Sequence, residues 1–177
     1  MRQYPPPVPP QPDNDGALRR GDVEVFDGVA GLTLGDTLLT LWQTPARPER
    51  IRQVTEWTEA LIAETPGTIA ACQFLLSTAS PPNSAARAEA LRGFRLVEPH
   101  ARRLITVPLG DAVWHSIVRG IIRAGVAAWG RHKLIKVAAS RAEAFDLLTE
   151  IATPRTPGRA ELEAGLAALD AALGGAP

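Results

Sequence analysis

"TIAACQFLLST", residues 68–78, is a nearly unbroken apolar run with turn signals on either side. A strand covered on one face alternates apolar and polar residues, so a run this continuous reads as a strand buried on both faces. Two more stretches of strand type follow, "RLITVPLG" (103–110) and "KLIKVAAS" (133–140).

The segments between them have helical spacing. Ala86, Ala90, Leu91, Phe94 and Val97 mark one helix, which Pro99 closes. Asp111 caps a second, reaching Trp129 with Gly130 as its stop. Ser140 and Glu143 form a capping box for a third, which carries Ala144, Phe145, Leu148 and Ile151. Upstream, "ARPERIRQVTEWTEALIAETPG" (46–67) is also helical. Pro48 suits its first turn, Glu49 complements its positive end, and Ile51, Val54, Trp57, Leu61 and Ile62 make one apolar stripe. Strands alternating with helices imply right-handed crossovers and a largely parallel sheet.

The chain enters this pattern through β-rich segments, "DVEVFDG" (22–28), "GLTLGD" (31–36) and "TLLTLWQT" (37–44). Asp27-Gly28 and Gly35-Asp36 are turn signals, so an antiparallel hairpin opens the domain. The expected fold is α/β, with a mixed, mostly parallel sheet of about five strands and helices packed on it, over residues 22–152. Residues 1–21 read as a disordered, proline-rich tail, 153–158 ("TPRTPG") as a linker, and 159–173 as an amphipathic C-terminal helix with Leu162, Leu166, Leu169 and Leu173 on one face.

The 177 residues suffice for one domain of about 100–150 residues plus tails. Nineteen basic and nineteen acidic side chains cancel, so the broad positive field of a general nucleic-acid binder is missing. The most apolar region, 113–129, is broken by His115, Arg119 and Arg123, against a membrane span. No signal peptide precedes the prolines, and a cytoplasmic location is expected. Cys72 has no second cysteine to pair with and reads as a small core residue.

The chain carries neither a glycine-rich phosphate loop nor GxSxG. His100, His115 and His132 lack metal-ligand spacing. The sequence therefore nominates no catalytic, metal or cofactor residue. Two features remain. In "LLSTASPPNSAARAEA" (75–90), Ser77, Thr78, Ser80 and Ser84 cluster where a buried strand passes into a helix. Such a corner favours anions or an added phosphate, and it also reads simply as a helix cap at Asn83 or Ser84. In "PLGDAVWHSIVRGIIRAGVAAWGRHK" (108–133), His115, Arg119 and Arg123 form a basic stripe opposite a wide apolar sector that includes Val113, Trp114, Ile117 and Val118. The stripe suits an acidic partner or a phosphate, and equally the solvated edge of a buried helix. Trp42, Trp57, Trp114 and Trp129 read as core and rim anchors.

Element order and three segments, "TLLTLWQTPARPERI", "FLLSTASPPNSAARAEAL" and "LITVPLGDAVWHSIVRGIIRAG" leading to "HKLIKVAASRAEAF", resemble the STAS-like domains, the family of the bacterial anti-sigma-factor antagonists. The resemblance implies a non-enzymatic regulatory domain that binds a signalling partner such as a regulatory kinase. It also implies a phosphorylatable serine at the helix start, nearest to Ser84 and then Ser80 here. The family's Asp-Ser-Ser/Gly-Gly signature is replaced: Asn83 precedes Ser84 and Ala85-Ala86 follow. A pocket for a small apolar, lipid-like ligand is the second function class, and an enzyme the third.

Overall fold

The computed structural model describes residues 21–79, 82–129 and 133–174. The proline-rich stretch to residue 20, Ser80, Gly130 and His132 lie outside the described residues.

The opening segment forms three antiparallel strands, β1 (Val23–Phe26), β2 (Val29–Leu34) and β3 (Thr37–Trp42). Its first turn is Asp27-Gly28, both with positive φ (47° and 80°), the pair of left-handed residues that a tight two-residue hairpin needs. A buried arginine fastens that turn. Arg50 donates from Nε to Asp27 Oδ2 at 2.9 Å and from Nη1 to the Pro45 carbonyl at 2.6 Å.

From β3 the chain winds through α1 (Pro48–Glu64), β4 (Ile69–Leu76), α2 (Ser84–Val97), β5 (Ala101–Leu109), α3 (Ala112–Trp129) and β6 (Ile135–Val137). The strands lie in sequence order, β1 to β6, and β3 through β6 are parallel. The sheet thus has six strands rather than about five. The difference lies at the start, where two tight turns fold one short segment into a meander instead of a single hairpin.

Residues of β4 alternate between two covered faces, which is why its sequence shows no polar period. Ala70, Cys72 and Phe74 face α4 (Arg141–Thr149) and α5 (Arg159–Ala172). There Phe74 meets Phe145 edge to face, with centroids 6.1 Å apart. Leu162, Leu166 and Leu169 of α5 are buried in the same core. On the other face, Ile69 packs with Trp57 and Leu61 of α1 and Val97 of α2. Asn83, Asp111 and Ser140 cap α2, α3 and α4 by accepting from Ala86 N, Trp114 N and Glu143 N.

The amino ends of the parallel strands are joined by one buried polar cluster. Asp36, in the β2–β3 turn, is buried and accepts from Arg102 Nη2 at 2.7 Å. Arg102 also donates to the Thr68 carbonyl at 2.7 Å and to Thr156 Oγ1 at 2.9 Å. Thr153 donates to the second Asp36 oxygen. The 153–158 stretch is therefore tied to the sheet as it passes from α4 to α5. Burial pushes the Asp36 carboxyl up, but hydrogen bonds from Thr153 and Arg102 and the Arg102 charge outweigh it, holding the group below its ordinary value.

Truncation at Asp36→Ala leaves Arg102 buried without its counter-charge and should cost about 3–5 kcal/mol in chemical denaturation. Because the native carboxyl titrates lower than the unfolded one, its contribution is present above about pH 4 and is lost as pH falls through the native value. Wild type should lose stability on acidification from neutral pH to about pH 3 more steeply than Asp36→Asn does. Equal slopes would show that the cluster does not couple protonation to folding.

Candidate functional site

The three crossover helices do not close evenly over the sheet. α1 and α2 pack tightly: a Cβ built on Gly93 of α2 would stand 2.4 Å from Thr55 Oγ1 of α1, so only glycine fits this approach. α3 instead sits toward β5 and β6 and makes no comparable contact with α2. Its inner face is anchored by Trp114, whose indole Nε1 donates to the Leu75 carbonyl at 3.2 Å, and by Val118 against Ala79.

Between α3, the α1–α2 pair and the sheet lies a cavity of about 350 Å³. That is within the roughly 300–1,000 Å³ range of small-molecule sites. Its walls are apolar, with Val54, Phe94, Val118 and Ile122 among them. Its floor is not. Thr40, Gln73 and Thr106 are register partners on the adjacent strands β3, β4 and β5, and all three line the cavity. Gln73 Nε2 donates to Thr106 Oγ1 at 2.7 Å, and Thr40 Oγ1 accepts from Trp42 Nε1 at 3.1 Å. Thr55 and Thr58, in the helical wall, turn their hydroxyls back onto the Ile51 and Val54 carbonyls. Among the described residues, no Asp, Glu, Lys, Arg or His lines the space. This lining can hold a molecule and orient it.

The hydroxyl-rich corner borders this cavity, since Ala79 and Pro82 belong to its lining. Ser77 and Thr78 are exposed at the carboxyl end of β4, and Thr78 Oγ1 donates to the Gln43 carbonyl at 2.6 Å. Of the two candidate caps, Asn83 serves α2, accepting from Ala86 N at 2.8 Å, while Ser84 is the exposed first residue of the helix.

On α3, His115 and Arg119 are half-buried and Arg123 is exposed. None of these side chains makes a hydrogen bond or ion pair among the described residues, and none lines the cavity. The apolar sector is narrower than the sequence implies. Trp114, Val118, Ile121 and Ile122 line the cavity, whereas Val113 and Ile117 are 67% and 41% exposed. Cys72 faces the opposite core, where burial pushes its thiol pKa up and keeps it protonated.

Sequence reasoning did not find the floor. The available signal was one polar residue, Gln73, inside the apolar 68–78 run, with a threonine in mid-strand on either neighbour. Among the described residues, no cluster of His, Cys, Asp or Glu is placed to hold a metal ion, and no helix is long and apolar enough to cross a membrane. No family model matches the chain, and no curated protein or solved structure matches it either.

Replacing the cap in Asn83→Ala should cost about 1 kcal/mol. Ser84→Ala should change stability by less than about 0.5 kcal/mol, and Ser84→Asp should hold or raise it by a few tenths through the helix dipole. Urea denaturation of the three variants checks this order, and a larger loss for Ser84→Ala than for Asn83→Ala would reassign the cap. By the same measurement, Trp114→Ala should cost about 3–5 kcal/mol, because it opens the cavity further and removes the anchor of α3. A neutral Trp114 variant would show that α3 is held by other contacts.

Proposed function

We propose that this chain is a non-enzymatic, STAS-like module of the cytoplasm that holds a small apolar molecule between its sheet and its three crossover helices. The observation that carries the reading is the cavity, with apolar walls on three helices and a floor in which three uncharged polar side chains stand among apolar ones. The STAS-like part is supported by the antiparallel opening followed by parallel strands in sequence order. The walls favour an apolar ligand because each buried Å² of its surface is stabilised by about 25 cal/mol.

A protein partner, which the STAS-like resemblance implies, is favoured by a separate observation. Ser77, Thr78 and Ser84 are exposed on the loop whose Ala79 and Pro82 line the cavity. Val113 and Ile117 lie exposed on α3, the helix that also carries His115, Arg119 and Arg123. In this reading, a partner such as a kinase contacts the loop and the outer face of α3, and the cavity supports that surface from beneath.

The test is titration with a neutral apolar dye, N-phenyl-1-naphthylamine, whose emission rises in a dry site. Wild type should give a saturable rise. Ala71→Phe and Ala90→Phe, which place a ring in the cavity from β4 and α2, should abolish it while keeping the wild-type circular dichroism. Overpacking of this kind costs about 1–3 kcal/mol, which leaves most domains folded. A dye that does not saturate on wild type, or binds the filled variants equally well, rules out the cavity as its site.

A further inference from the structure

The floor of the cavity constrains a ligand beyond an apolar body. Thr40 and Thr106 are 2% and 3% exposed, yet their hydrogen-bonding capacity is incompletely used. Thr40 Oγ1 accepts from Trp42 and Thr106 Oγ1 accepts from Gln73, so each hydroxyl hydrogen remains to be donated. Gln73 retains a second N–H and its carbonyl oxygen. Turning the amide over only exchanges which of Gln73 and Thr106 donates, and leaves the same number of unused groups. Neighbouring strands stand about 4.8 Å apart, so one oxygen placed over the row reaches two of these groups at once.

The same site is hostile to charge. No cationic or anionic side chain lines it among the described residues. The two helix starts that border it through Pro82 and Trp114 are already capped, α2 by Asn83 and α3 by Asp111. The start of α1 carries Glu49. An ionised head placed on the floor would lose its water and meet no counter-charge among the described residues. Building on the proposed binding role of the cavity, we infer that it selects an uncharged amphiphile, such as a long-chain alcohol, ester or amide, with its polar head on the Thr40–Gln73–Thr106 row and its apolar body against α2 and α3. Ionised fatty acids are discriminated against by the same geometry.

The experiment displaces N-phenyl-1-naphthylamine from the full chain with decan-1-ol or with decanoate at mildly alkaline pH, and follows the quenching of Trp42 and Trp114, which line the cavity. Decan-1-ol should displace the dye at a concentration lower by about tenfold or more than decanoate. Thr106→Val and Gln73→Leu keep the shape of the floor and remove its polar groups. Both should still bind the dye and should weaken decan-1-ol by about tenfold. Decanoate binding as well as the alcohol, or variants holding the alcohol as wild type does, overturns the neutral-head assignment while the cavity reading stands. Failure of the dye itself to bind wild type overturns both. If a floor variant does not fold, the comparison of alcohol with decanoate on wild type decides alone.

Discussion

Right-handed crossovers that step across a sheet in one direction place every connecting helix on the same side, and this chain crosses three times in a row without reversing, from β3 to β6. α1, α2 and α3 therefore share one face. The other face of β2 to β5 is apolar as well and would lie open to water were it not for the two C-terminal helices. α4 and α5 fold back under it, burying Phe145, Leu148, Leu162, Leu166 and Leu169. The tie between Asp36, Arg102, Thr153 and Thr156 sets the point at which the chain turns back.

The same constraint produces the cavity. Helix α1 crosses from β3 to β4 and α2 from β4 to β5, and the pair packs closely through Gly93 and Thr55. α3 crosses to β6, a strand of only three residues at the sheet edge, so it is drawn away from α2. Trp114 holds its first turns against the carboxyl end of β4. The helix layer is tight over the middle of the meander and loose over β4 and β5. The space so left lies above a part of the sheet where Thr40, Gln73 and Thr106 stand among Leu38, Ala71, Leu75 and Leu104.

Two of the polar clusters described above, at Asp36 and on the cavity floor, differ in their partners. Around Asp36, the carboxylate receives a guanidinium and the hydroxyls of Thr37, Thr153 and Thr156. The Thr40–Gln73–Thr106 row carries no charge, and its bonds, one from Trp42 and one within the row, leave part of its capacity unused. Donors and acceptors left over after these bonds can be completed by a bound molecule, which lowers the cost of desolvating its own polar head. The first cluster joins strand ends to the returning chain, and the second gives the cavity a direction.

Elements and caps were legible in the sequence because their signals are local. The two-faced burial of 68–78, the Asp27-Gly28 turn and the caps at Asp111 and Ser140 each depend on a few consecutive residues. The cap of α2 was legible only as a choice between Asn83 and Ser84, since both residue types serve. What a residue faces depends on pairing across space. Gln73 and Thr106 are 33 residues apart and meet only because β4 and β5 pair in that register. Val113 and Ile117 carry the same periodic signal as Trp114 and Val118, yet stand in the open. Periodicity specifies that a helix has an apolar side, while the distance between α3 and α2 decides how much of that side is covered and leaves the cavity behind.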